Sequence, residues 1–321
     1  MSPRPAHRAV VGVPAPSPWS PDEALGHVVA TAVPGCEEVR DGAYRRTVAL
    51  AHRPAVVAVR PAADHAECTL WLGDPRDEPQ AVAACRRLLD LDHGADDDRW
   101  PVEACDVVRV LRSDPTLRPV VDRSPGQRLP RCVDAAELAV RAVLGQQVST
   151  AAARTLARRL VLDHGSPLEQ GDPAGDLTHL WPTPRQLLGV DPASLAMPGS
   201  RRRAFAGLVR ALAQGELDLA PGCDVATARK ALLAVPGVGP WTVEIVALRG
   251  LGDPDAFPAS DLGVRRAAAR LGLPDSPTTL LRHAERWRPF RSYAVQYLWS
   301  TLDHQVNRDW RVGGHVAGGA A

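Results

Sequence analysis

Leu232-Leu233-Ala234-Val235-Pro236-Gly237-Val238-Gly239-Pro240-Trp241-Thr242 joins two helical patterns through a turn with glycine at alternate positions. Gly237 and Gly239 permit backbone conformations, and a close approach, that a Cβ would block. Pro240 suits the first position of the following helix, where a missing N–H costs nothing. The free N–H groups at that helix start face outward and can hold a phosphate. A lone Pro-Gly-x-Gly turn is more often a tight helix–helix connection of structural use only. The downstream residues decide between the two.

Twenty residues beyond Trp241 stands Asp261, within Asp255-Ala256-Phe257-Pro258-Ala259-Ser260-Asp261-Leu262-Gly263-Val264-Arg265. Taken alone, Asp261 reads as the N-cap of the helix that follows it. Hairpin and loop together resemble the glycosylase superfamily named for its helix-hairpin-helix, Gly/Pro-rich loop and aspartate, with Asp261 in the aspartate's position. The resemblance implies a grip on one DNA strand through its phosphates, made by the amides of Gly237, Gly239 and Thr242. It also implies a monovalent cation, Na+ or K+, on the carbonyls of Leu233, Val235 and Val238.

The chemistry fits a carboxylate at that position. Breaking an N-glycosidic bond develops positive charge on the deoxyribose, and a fixed anion near C1′ stabilises it where water is largely removed. The same group can orient or deprotonate the attacking water. Superfamily members that also nick the backbone place a Schiff-base lysine where this chain has Trp241. The only lysine here is Lys230, so the expectation is a monofunctional enzyme without AP lyase activity.

Further stretches narrow the resemblance to the bacterial alkyladenine type, the 3-methyladenine DNA glycosylase II enzymes. They are Leu129 to Asp134, Ala139 to Ser149 with its Gly145-Gln146-Gln147-Val148 turn, and Glu285 to Trp299. The resemblance makes Trp241 and Trp299 walls of a pocket for the flipped base. Cation–π attraction to a methylated purine would contribute about 0.5–2 kcal/mol there. Ile245 and Leu262 stand where the best-known pattern has Tyr, and His27 stands where it has Phe, which makes the pocket less aromatic and suggests a range narrowed toward 3-methyladenine. Gln147 stands in the position of the wedge that fills the gap left by an extruded nucleotide. Arg201-Arg202-Arg203 and the group Arg282, Arg286, Arg288 and Arg291 are either phosphate contacts or solvated helix faces.

Outward from these motifs the chain changes character. Tyr44 to Ala51, Ala55 to Arg60 and Cys68 to Leu72 are β-like runs suited to an antiparallel meander. Helical patterns follow at Gln80 to Leu91 and Val102 to Leu111. Met1 to Pro18 reads as a floppy lead-in without a signal-peptide core, Asp96-Asp97-Asp98 as a solvated loop, and Pro115 to Pro130 as a Pro-rich connector. From Asp134 onward the pattern is helical until a Gly-rich tail after Trp310, with Asp134 and Ser149 as N-caps. The expected fold is α+β: an N-terminal antiparallel β-sheet domain with helices (16–110), then two all-α domains. The first (135–253) holds the helix-hairpin-helix, and the second (111–134 with 254–310) carries the catalytic aspartate.

The composition agrees with this and excludes other classes. The 321 residues suffice for two or three cores. At 45% apolar and 23% charged, the chain is an ordinary globular one without a membrane-length apolar run. The net charge of +1 is unevenly spread: residues 1–110 carry 12 Arg against 17 acidic residues, so the basic excess lies downstream. Cys36, Cys68, Cys85, Cys105, Cys132 and Cys223 lack metal-ligand spacing, and no cysteine follows Cys223. No iron–sulfur cluster of the C-terminal four-cysteine kind is therefore expected. Nor does the sequence show the methyl-acceptor or helix-turn-helix module sometimes fused to such enzymes.

The sequence thus points to a cytoplasmic, nucleoid-associated monomer that acts on double-stranded DNA with alkylated bases. Two alternatives stay open: a glycosylase for deaminated or oxidised bases, and a non-catalytic helix-hairpin-helix DNA-binding protein.

Overall fold

A computed structural model describes residues 7–91 and 103–303. The Asp96-Asp97-Asp98 stretch and the Gly-rich tail lie outside these. Five strands, β1 (His7–Pro14), β2 (Glu37–Arg40), β3 (Ala43–Val48), β4 (Ala55–Pro61) and β5 (His65–Leu72), make one antiparallel sheet in the order β1-β5-β4-β3-β2. A short helix α1 (Gly26–Ala30) precedes β2, and α2 (Glu78–Leu88) packs Ala81, Ala84, Cys85 and Leu88 on the sheet. Those four fall on one helix face by their three- and four-residue spacing.

Two sequence expectations need correction here. His7–Pro14 is not a floppy lead-in but the edge strand β1, paired along its length with β5. Its surrounding prolines hid the Val11/Val13 alternation, and an edge strand tolerates proline at its end. The connector Pro115 to Pro130 contains a helix, α4 (Arg118–Arg123), with a proline in its first turn, the one place where proline fits. The strand β2 was also missed. It joins β3 through Asp41-Gly42, both at positive φ, the turn chemistry of a two-residue hairpin.

The helical part comprises α3 (Ala104–Arg112), α5 (Ala135–Leu144), α6 (Thr150–His164), α7 (Pro184–Leu187), α8 (Gly199–Gln214), α9 (Val225–Ala234), α10 (Pro240–Ile245), α11 (Leu262–Arg270), α12 (Pro277–Ala284) and α13 (Arg291–Ser300). Asp134 and Ser149 cap α5 and α6 with their side chains, as expected. Two apolar cores result. One gathers Val140, Leu160, Phe205, Leu208, Leu232 and Val243 from α5, α6, α8, α9 and α10. The other gathers Leu111, Val121, Val264, Trp287 and Tyr297 from α3, α4, α11, α13 and the turn after α12.

The segment after α10 spans both. Where the helical pattern downstream of Asp134 predicts ordinary helix, the chain forms a π-helical turn over Val246–Leu251. Its five-residue period points Val246 and Leu251 into the first core and Ala247 and Leu248 into the second.

The sheet docks on α5 through buried charge. Glu37 accepts from Tyr44 Oη (2.5 Å), Arg46 Nη1 (3.2 Å) and Arg141 Nη1 (3.1 Å), while Arg46 Nη2 donates to Glu137 at 2.7 Å. Glu37, Tyr44, Arg46 and Glu137 are all fully buried. A second tie runs from buried Asp90, just after α2, to the hydroxyl of Tyr293 on α13 at 2.8 Å. Among the described residues no helix is long and apolar enough to cross a membrane.

Candidate active site

Asp261 is the N-cap of α11: its Oδ1 accepts from the backbone N–H of Val264 at 2.8 Å. That is the bland role, and it accounts for one lone pair. Trp299 Nε1, from α13, donates to the same oxygen at 3.1 Å, and Trp241 Nε1, from α10, donates to Oδ2 at 2.9 Å. A carboxylate offers about four acceptor sites; with three occupied, about one remains for a water or an incoming ligand. Cap and candidate site are therefore one group. Both indoles and the carboxylate are half-buried, at the junction of the two helical cores.

The loop that carries Asp261 is pinned on two sides. From the hairpin side, Glu244 Oε2 accepts from the Phe257 N–H at 2.8 Å, and Arg229 pairs with both Glu244 and Asp253. From the α13 side, Arg291 donates to Asp255 (2.8 Å) and Ser292 Oγ donates to the carbonyls of Asp253 (2.6 Å) and Ala256 (3.0 Å). Phe257 fills the space below at 4% exposure. None of these residues was read from sequence as a support of the loop. Glu244 and Arg229 carry no motif of their own and are brought to the loop only by the hairpin's fold.

The pinning also revises the candidate phosphate contacts. Arg291 and Arg288 are spent on Asp255 and Glu285. Arg201, 8% exposed, donates to the carbonyl of Gln146 at 2.5 Å. It holds a turn in place and is not a surface cation.

In the hairpin, Gly237 has φ +89°, and a Cβ there would stand 2.8 Å from Ala204 Cβ. Both halves of the glycine expectation hold at that position. Gly239 differs: its φ of −98° suits any residue, and a Cβ would meet nothing within 4 Å. Nothing among the described residues requires the missing Cβ there. Among the described residues no backbone carbonyl accepts from the N–H of Gly237, Gly239 or Thr242. The carbonyls of Leu233 and Val238 likewise accept no backbone N–H, while that of Val235 accepts one from Val238 at 3.0 Å.

Gln147 is exposed at the tip of the turn between α5 and α6, with φ +56°. A non-glycine residue there carries strain of about 1–3 kcal/mol, so the surroundings must hold it. Its neighbour Gln146 does so: Nε2 donates to the Gly237 carbonyl (3.2 Å) and to Thr242 Oγ1 (3.1 Å). This tie from turn to hairpin was not foreseen.

Ile245 lies one turn beyond Trp241 on α10, half-buried, and Leu262 follows Asp261 with 55% exposure. His27 is on α1, in the sheet-bearing part. Trp241 also lines a cavity of about 910 Å³, together with Pro240, Glu244, Phe257 and Pro258. One face of Trp299 is already occupied: the guanidinium carbon of Arg249 stands 4.9 Å from the ring centroid.

Residues 140–292 match the family described as HhH-GPD superfamily base excision DNA repair protein, and residues 12–134 match the AlkA N-terminal domain. The chain is 34% identical to DNA-3-methyladenine glycosylase 2 of Escherichia coli over 284 residues, covering 86% of this chain and 92% of that one. It is 55% identical over 296 residues, 92% of this chain, to a Mycobacterium tuberculosis protein named "Probable bifunctional transcriptional activator/DNA repair enzyme AlkA", and spans 58% of that protein's length. Among solved structures, the 3-methyladenine DNA glycosylase from Archaeoglobus fulgidus superposes with a TM-score of 0.71 at 21% identity, covering 91% of this chain and 97% of that one. A Clostridium acetobutylicum 8-oxoguanine glycosylase/lyase bound to double-stranded DNA gives 0.69 at 18% identity, covering 94% and 98%. At these identities the two structures are likenesses of fold.

Proposed function

The chain belongs to the HhH-GPD superfamily of base excision DNA repair proteins, and from that premise we propose that it is a monofunctional DNA glycosylase that hydrolyses the N-glycosidic bond of alkylated purines, 3-methyladenine and 7-methylguanine, in double-stranded DNA. The observation that carries the reading is the Asp261 carboxylate, held by indole N–H groups from both helical cores with about one acceptor site to spare.

Such a base leaves without a strong general acid, because it departs as a neutral molecule. The bond's electron pair goes to the base, and the deoxyribose takes up the positive charge. Asp261 stabilises that charge without reorganising, since its two oxygens are already fixed by three donors. Its remaining acceptor site can hold the water that attacks C1′. Trp241, Ile245, Leu262 and the face of Trp299 opposite Arg249 wall the base, and Gln147 fills the vacated stack. With Trp241 at the hairpin position and Lys230 the only lysine, no amine is placed to attack C1′, so an abasic site is the product.

Free N–H groups at Gly237, Gly239 and Thr242 suit a phosphate. The carbonyl donors of Leu233, Val235 and Val238 suit a monovalent cation, which would brace that turn with positive charge near the phosphate. The protein acts as a cytoplasmic monomer.

The test is release of bases from methylated genomic DNA by the wild type and by Asp261→Asn. The expected result is 3-methyladenine and 7-methylguanine from the wild type, and a rate lower by about 10²-fold or more in the variant, with DNA binding retained. No methylated base from the wild type would refute the substrate. An Asp261→Asn variant as fast as the wild type would refute the mechanism.

A further inference from the structure

Arg249 is a cation buried without an anionic hydrogen-bond partner. It sits on the π-helical turn at 4% exposure. Among the described residues its guanidinium donates only to neutral groups: Nη1 to the carbonyl of Pro130, and Nη2 to Oε1 of Gln296 at 3.3 Å. Burial pulls its pKa down to about 9, partly offset by the charge of Asp261, so the side chain is cationic at neutral pH. A fold rarely keeps an arrangement of that kind, because removing a charge from water costs far more than neutral partners return.

The placement suggests its use. The guanidinium carbon lies 4.9 Å from the centroid of Trp299, and the edge of the same ring donates to Asp261 at 3.1 Å. Cation, ring and carboxylate follow one another across the site. We propose that Arg249 is a positioning residue that acts through Trp299: it holds one face of the ring, leaving the other for the base, and is the positive pole of a fixed field that moves positive charge from base to sugar, toward Asp261. This inference rests on the glycosylase reading above.

The charge balance makes it specific. As the N-glycosidic bond breaks, its electron pair goes to the base, the sugar becomes cationic, and water oxygen then bonds C1′ while its proton leaves to solvent. The base becomes one unit more negative in this step, from cation to neutral for an alkylated purine. A cation behind the ring favours that change. It also repels the bound alkylated base before the bond breaks, which a neutral base does not experience. Arg249 thus raises the rate and weakens binding of the charged lesion, a split that ring support alone would not produce.

The experiment compares Arg249→Gln and Arg249→Lys with the wild type. Single-turnover rates are measured on a duplex containing 7-methylguanine. Binding is measured in the Asp261→Asn background, on that duplex and on one containing neutral hypoxanthine. For Arg249→Gln the expected result is a rate lower by about tenfold or more, with binding several-fold tighter for 7-methylguanine and unchanged for hypoxanthine. Arg249→Lys should climb to within a few-fold of the wild-type rate as the pH is lowered and the buried amine takes up its proton. A wild-type rate for Arg249→Gln would overturn the inference, as would weaker binding of both duplexes, or a lysine variant as slow as the glutamine one. A wild type that releases neither 7-methylguanine nor 3-methyladenine would instead refute the glycosylase reading on which it stands.

Discussion

A Cβ at Gly263 would stand 3.0 Å from Asp261 Oδ1, 3.0 Å from Trp299 Nε1 and 3.2 Å from Trp299 Cδ1. The indole can approach the carboxylate only because that residue has no side chain. Gly263→Ala should push the ring back by a few tenths of an ångström. The expected outcome is a single-turnover rate lower by about tenfold, with a Tm close to the wild type, read by kinetics and thermal melts on the same preparation. A rate equal to the wild type would show that the Trp299 contact is dispensable. At this scale the sequence was partly legible. Asp261, Trp241 and Trp299 stand out because their spacing matches a motif. The use of the two indoles as edge-on donors does not, since a residue's identity says nothing of which way its ring turns. Arg249 was invisible for a plainer reason: in a chain whose 38 basic residues include one lysine, a single arginine carries no signal. Its only mark is the apolar company of Ile245, Val246, Ala247, Leu248 and Leu251.

In the hairpin, the two glycines serve different purposes and should separate under mutation. Gly237→Ala places a Cβ at positive φ and against Ala204, and should cost about 1–3 kcal/mol of stability. Gly239→Ala meets open space, so its stability should stay within about 0.5 kcal/mol of the wild type, while DNA affinity drops to a similar degree on any sequence. Urea denaturation and fluorescence anisotropy on unrelated duplexes would read the two effects. Unchanged affinity in Gly239→Ala would remove that amide from the phosphate contact. Helix was otherwise legible in the sequence: Asp134 and Ser149 cap α5 and α6 where their residue types placed the helix starts. The π-helical turn was not, because a local period of five looks like ordinary apolar crowding when two cores share one helix.

Across the whole molecule, the sheet is joined to the helical cores by a buried ion cluster centred on Glu37. Burial pushes the Glu37 carboxyl up, but Arg141 and Arg46, with the Tyr44 hydroxyl and the Val33 N–H, outweigh it and hold the group below its ordinary value. A lowered folded value means stability that is full above the ordinary glutamate range and lost as the pH falls through it toward the lower folded value. Glu37→Gln should therefore cost about 3–5 kcal/mol at neutral pH by leaving two buried arginines, Arg46 and Arg141, to share the one carboxylate of Glu137, and its remaining stability should vary less with acid. Urea melts from pH 7 down to 3 would show this; parallel curves for wild type and variant would place the acid sensitivity elsewhere. The cluster explains why the sheet was only partly legible. Glu37, Glu38 and Arg40 read as surface charge, and only the Asp41-Gly42 turn could have revealed β2.

Gln146 adds a consequence for how the protein handles DNA. Its amide locks the tip that carries Gln147 to the turn offered to the phosphates, although 91 residues separate Gln146 from Gly237 in the chain. On the proposed reading, the part that pushes into the duplex and the part that holds it are one solid piece. The thrust that parts the bases is returned through the same backbone grip, without slack between them. A strand nicked between those two points would give way under the thrust, and the protein would have no leverage on the base in between.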